Sequence, residues 1–147
     1  LIDAVFALGE DDLVSIVNRV EALQSFLGTE DGENLLAGYK RAANILKAEA
    51  KKGDLPEGAP NRPTDSYGAD LYDALEGATQ AIEKALNGEN YEAAMLELAT
   101  LRAPIDAFFT HVFINSDDIA VKENNLRLLG RLRDTASQIA DFDRING

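Results

Sequence analysis

Apolar residues recur along this chain at intervals of three and four, and nowhere for long at intervals of two. The first spacing puts side chains on one face of a helix, whereas a half-buried strand alternates. The stretch up to residue 27 is representative. Leu13, Ile16, Val17, Val20, Leu23 and the pair Phe26-Leu27 would lie along one buried side. Proline gives the complementary signal, because inside a helix it removes a hydrogen bond and clashes with the preceding turn. Three of the four prolines fall between Asp54 and Gly68, and the fourth is Pro104. The expectation is an all-α fold, a single bundle of about seven helices with one long Pro/Gly-rich loop at 54–68.

Leu1 to Leu8 reads as a short helix or the end of one, broken at Gly9. Glu10-Asp11-Asp12 supplies the negative start that a helix dipole favours, and that helix runs to about Leu27. Gly28 to Gly32 reads as a turn. The next helix covers roughly Glu33 to Lys52 and ends in Lys51-Lys52-Gly53, basic residues followed by a glycine stop. The loop of about fifteen residues that follows is long enough to need a reason, either a tolerated surface insertion or a binding loop. Helices resume at about Ala69 to Leu86 and at Tyr91 to Leu101, separated by Asn87-Gly88. Pro104 suits the first turn of a new helix presenting Ile105, Phe108, Phe109 and Val112. Ser116-Asp117-Asp118 is an N-cap cluster for a final helix to about Ala140. Val121, Leu128, Leu129, Leu132, Ala136 and Ile139 would face inward from it.

At 147 residues the chain is expected to form one domain, residues 1–147, with a proper core. No apolar run approaches the ~18 residues of a membrane span, and no basic leader precedes an apolar stretch. Cysteine is absent, which removes disulfides, thiolate zinc sites and cysteine nucleophiles together and makes a cytoplasmic address the default. The first residue is Leu1, so the chain reads as a piece of a longer one. Net charge is −12, which counts against a simple nucleic-acid binder, since phosphate calls for a basic surface. The charge is unevenly spread. Residues 54–101 hold two basic and ten acidic residues, while the remaining basic residues sit toward the two ends. A folded domain can therefore set a mildly basic face opposite an acidic one.

Catalytic constellations are missing from the pattern. His111 is the single histidine, so a serine–histidine pair or a multi-histidine metal site lacks its partners. It reads as structural or partly exposed. There is no dinucleotide or Walker phosphate loop. Asp141-x-Asp143 with Asn146-Gly147 is a faint calcium-loop pattern with the wrong spacing and no closing glutamate. Asp117-Asp118 reads as a helix cap. No catalytic residue and no metal site is expected.

Two stripes offer binding surfaces. Lys40, Asn44, Lys47 and Lys51 fall at helical spacing on one face, while Leu35, Tyr39, Ala42 and Leu46 form a separate, core-facing stripe. Asn124, Arg127 and Arg131 repeat the arrangement more weakly on the last helix, where Asp134 continues the stripe and is a ready partner for Arg131. Either stripe is also what an ordinary solvated face looks like. Asp106 would lie in the first turn after Pro104 and hold Arg102 by a charge-assisted bond. Asp70, Asp73, Glu76 and Glu83 would serve the alternative reading, an acidic protein-interaction or scaffold domain with a docking face for a basic partner.

Several spaced phrases carry a family resemblance. They are Lys40-Arg41-Ala42-Ala43-Asn44-Ile45-Leu46-Lys47, then Tyr91-Glu92-Ala93-Ala94, then Leu101-Arg102-Ala103-Pro104-Ile105-Asp106-Ala107-Phe108-Phe109. With Ile2-Asp3-Ala4-Val5 and Ala140-Asp141-Phe142 at the ends, the chain resembles the C-terminal anticodon-binding domain of the β subunit of bacterial glycyl-tRNA synthetases. A similar helical module closes the class I arginyl-tRNA synthetases. The chain departs from the family in having Thr110 where aspartate is usual, Val112-Phe113-Ile114-Asn115 in the next segment, and Asn124-Asn125-Leu126 where Asn-Arg-Leu is favoured.

The resemblance implies a non-catalytic module that grips the anticodon stem-loop of tRNA(Gly). Adenylate formation from glycine and ATP, with magnesium, would belong to the α subunit of an α2β2 parent enzyme. Lys40, Arg41, Asn44, Lys47 and Lys51, with Asn124, Arg127 and Arg131, are then the RNA-binding candidates. Arg102, Pro104, Asp106, Phe108 and Phe109 form the structural motif. Glycine anticodons end in two cytosines, whose edges offer an amino donor as well as acceptors, so a reader can use carboxylates beside Lys, Arg or Asn.

Overall fold

The computed structural model describes Val5 and residues 13–145. Among the described residues there are six α-helices, one 3-10 turn and no strand. The helices are α1 (Leu13–Leu27), α2 (Glu30–Lys52), α3 (Ser66–Asn87), α4 (Tyr91–Ala99), α5 (Arg102–His111) and α6 (Ile119–Ser137), followed by the 3-10 turn Phe142–Arg144. The helix expected over Leu1–Leu8, its Gly9 break and the acidic start at 10–12 lie outside the described residues, apart from Val5, which is helical and buried. No described helix is long and apolar enough to cross a membrane.

The bundle is all-α, as the periodicity requires. α2 packs against α6 and against α1 and α5, and α3 packs against α4, α5 and α6. Leu71, Leu75 and Ile82 of α3 meet Leu98, Ile105, Phe108, Leu128, Leu129 and Leu132 in one continuous core. Phe108 is fully buried; a side chain of that size contributes about 1.5–3 kcal/mol on burial.

Boundaries move where a cap decides them. α2 starts at Glu30, three residues earlier than the Gly28–Gly32 turn implies. Thr29 is its N-cap, taking the Gly32 N–H at 3.0 Å, and Glu30, Asp31 and Glu33 fill the first turn. Gly32 is there for space, since a Cβ at this position would collide with the Phe26 carbonyl oxygen. α3 likewise starts early, at Ser66, because Asp65 accepts the Gly68 N–H at 2.6 Å. α5 begins at Arg102, so Pro104 is its third residue, still among the N–H groups that no helix satisfies. Asp106 therefore sits beyond the first turn. α6 is capped by Asp118, as the acidic cluster suggests. It stops at Ser137, short of Ala140, and the chain turns to place Phe142 5.4 Å from Tyr39.

Facing assignments are correct for α2 and wrong in part for α1 and α6. Ile16, Leu23 and Phe26 are buried, but Leu13 is 70% and Val17 52% exposed. The buried face of α1 is rotated toward Ser15 and Arg19. Arg19 donates to the Ile139 carbonyl at 3.3 Å and lies 5.0 Å over the Tyr91 ring. Val121 is exposed, because the first turn of α6 stands clear of the core.

Candidate nucleic-acid interface

The outer face of α2 carries the first stripe. Lys40 is partly buried, and Asn44, Lys47 and Lys51 are exposed. Leu35, Tyr39, Ala42 and Leu46 are buried on the opposite side, so the helix divides between core and solvent as its spacing demands. Lys40, Asn44 and Lys47 line an open groove of about 180 Å³ between α2 and the C-terminal 3-10 turn, with Ala43, Phe142, Asp143 and Ile145 completing it. Tyr39 belongs to the core: its ring packs on Phe142, and its hydroxyl donates to Asp143 Oδ1 at 3.3 Å. Burial, then the neighbouring Asp143 charge and hydrogen bond, pushes the Tyr39 hydroxyl far above the ordinary phenol range.

Arg41 turns to the other flank of the stripe, its guanidinium 4.5 Å over the Phe109 ring. Such a contact immobilises the cation without neutralising it. Phe109 in turn meets Phe108 edge-on at 6.1 Å. The Leu101–Phe109 phrase thus anchors α5 in the core and steadies a charge on α2.

The second stripe is engaged with protein. Asn124 exchanges two hydrogen bonds with the Asn61 backbone, Arg127 Nε donates to the Glu57 carbonyl at 2.9 Å, and Arg131 pairs with Glu76 at 3.1 Å. Asp134 is not the partner of Arg131; it lies 3.9 Å from Arg133. Arg127 and Arg131 border a groove of about 450 Å³ between α6 and the loop, beside Leu55, Pro56 and Pro60. The loop at 54–68 is thereby fastened to α6.

Arg102 reaches chiefly to α2, with Asp31 at 3.2 Å and Glu30 at 3.9 Å, and lies 3.8 Å from Asp106. The Asp106 pairing is present but is the longer contact, since Asp31 comes within hydrogen-bond range. His111 is stacked on Tyr67 at 4.2 Å. Asp141 caps the last turn, accepting from the Asp143 N–H and from Arg144 Nε, each at 3.1 Å. Among the described residues no group of three His, Cys, Asp or Glu is arranged to hold a metal ion.

Sequence pattern marks Asp143 only as part of a faint calcium loop and does not connect it to the lysine stripe. Its partner Tyr39 lies 104 positions away, beyond the reach of periodicity.

Against this geometry, residues 35–142 match the DALR anticodon binding domain family. The chain belongs to that family. The match takes in α2 from Leu35 onward, so the lysine stripe lies within the shared domain. Three relatives are β subunits of glycine–tRNA ligase, and each aligns with the whole of this chain. The protein of Phenylobacterium zucineum is 54% identical over 149 residues, which make up 22% of that relative. That of Rhodospirillum centenum is 44% identical over 155 residues, 21% of its length. That of Cereibacter sphaeroides is 49% identical over 152 residues, 22% of its length. The chain thus spans about a fifth of the length of the curated relatives it matches.

Proposed function

We propose that this DALR domain binds the anticodon stem-loop of a glycine tRNA as the non-catalytic tRNA-recognition module of a glycine–tRNA ligase β subunit. The observation that carries the reading is the α2 face. Lys40, Asn44, Lys47 and Lys51 share one outward stripe beside a groove, inside the segment that matches the family. Phosphates of a loop backbone need cations at intervals, and unstacked bases need polar groups between them. Arg41, steadied by Phe109, extends the same surface. Asn124 and Arg127 act first as braces for the 54–68 loop, Arg131 ties α6 to α3 through Glu76, and all three contribute to RNA only at the rim.

The rest of the enzyme supplies the chemistry. ATP, glycine and magnesium are assigned to parts outside this chain. The partner is an α subunit within an α2β2 assembly, in the cytoplasm. An acidic docking surface is the weaker reading, because two of its four carboxylates are already used: Asp73 holds Arg62 at 3.0 Å and Glu76 holds Arg131.

The test is binding of the full-length protein to a glycine-tRNA anticodon stem-loop at low and moderate salt. A hairpin with both anticodon cytosines replaced is the control. Salt-sensitive binding that weakens on replacement is expected. Absence of binding to either hairpin contradicts the reading.

A further inference from the structure

A phosphate site built from lysines has no use for a carboxylate in its midst, yet Asp143 lines the same groove as Lys40, Asn44 and Lys47. Asp143 is exposed, and its orientation is constrained. Oδ1 accepts the hydroxyl of Tyr39, a residue only 2% exposed and packed on Phe142. That hydroxyl stays protonated throughout the physiological range, since burial and the Asp143 charge both oppose its ionisation. A carboxylate fixed by a permanent donor presents only acceptors to whatever enters the groove. Phe142 and Ile145, both buried, supply apolar walls, and the Asn44 amide offers one donor group and one acceptor.

A ligand matching these groups carries an exocyclic amino donor next to ring acceptors, with phosphates on either side. A nucleobase in a single strand has that pattern. Cytosine sets N4–H₂ beside acceptors, whereas uracil puts an acceptor where the amino group was.

We propose that Asp143, positioned by Tyr39, is a base-reading residue that accepts a hydrogen bond from the amino group of an unstacked cytosine seated in this groove. Asn44 meets the ring acceptors of that base, and Lys40 and Lys47 hold its flanking phosphates. The inference rests on the anticodon-binding reading above and adds a specificity determinant to it.

The experiment measures affinity of the full-length protein for four fluorescent stem-loops. One carries both anticodon cytosines, two have one or the other changed to uracil, and one has adenine at the more sensitive position. The unsubstituted protein is expected to prefer cytosine by roughly 5- to 100-fold at one position, the discrimination of a good base contact. Asp143→Asn, nearly isosteric, should reduce that preference to about twofold or less, because its amide can donate to uracil O4. Tyr39→Phe keeps the ring packing and should reduce the preference in part, the outcome for a positioning residue. If Asp143→Asn leaves the cytosine-to-uracil ratio unchanged while Lys47→Ala still weakens every hairpin, base reading by Asp143 is overturned and anticodon binding stands. An equal loss for all four hairpins also overturns it, as does a preference for adenine that survives Asp143→Asn. No binding to any hairpin by the unsubstituted protein removes both readings together.

Discussion

Asn124 and Asn61 hold each other reciprocally across 63 positions of sequence: the Asn61 N–H donates to Asn124 Oδ1 at 2.8 Å, and Asn124 Nδ2 donates back to the Asn61 carbonyl at 2.9 Å. A side-chain amide is the group that can satisfy both backbone groups of one residue at once. The pair pins the middle of the proline-rich loop to α6, next to the Arg127–Glu57 bond. Asn124→Ala should cost about 1 kcal/mol and expose residues 54–62 to proteolysis. Asn124→Asp, which keeps the acceptor and removes the donor, should fall between. Limited digestion with cleavage-site mapping checks both.

Glycine plays opposite parts in α2 and α3. At Gly32 a methyl group would collide with the Phe26 carbonyl, whereas at Gly77 nothing lies within 4 Å. Gly32→Ala should therefore destabilise the domain by about 1–3 kcal/mol, the cost of overpacking. Gly77→Ala should stabilise it by about 0.5–1 kcal/mol, the helix propensity difference. Urea unfolding of the two variants should move in opposite directions.

Glu49 links α2 to α6, meeting Lys52 at 3.1 Å and Lys122 at 3.3 Å. The Lys52 hydrogen bond, opposed by burial and aided by Lys122, holds its carboxyl below the ordinary glutamate value of 4.5. Folding thus favours the charged form. The stabilisation is complete above 4.5 and is lost as pH falls through the lower folded-state value. Glu49→Gln should lower Tm at neutral pH, and the gap from the parent protein should narrow as the pH drops below 4.5. A constant gap across that range would show that the pairing contributes nothing through charge.

Helical periodicity made α2 legible in the sequence because its two faces are chemically distinct, Lys40 and Lys47 on one and Leu35 and Leu46 on the other. It failed in part for α1, where Leu13 and Val17 look like core residues but are exposed, and Arg19 is buried. An apolar residue on a surface carries little penalty, and a long arginine can bury its stem while its head finds a carbonyl. Spacing records neither. The roles of Asn124, Arg127 and Asp143 depend on partners 63, 70 and 104 positions away, which no local pattern contains. Thr29 and Asp65, by contrast, are ordinary N-cap residue types, and reading them as caps would have placed both helix starts correctly.

The central claim is that the α2 stripe holds the backbone of an anticodon loop. Its most direct test is the affinity of the full-length protein for a glycine-tRNA anticodon stem-loop across a salt series, with Lys47→Ala/Lys51→Ala compared with the parent protein. The account predicts weaker binding and a shallower dependence of log K on log salt, by roughly 0.7 for each single-strand phosphate that a lysine no longer neutralises. Unchanged affinity together with an unchanged slope would contradict it.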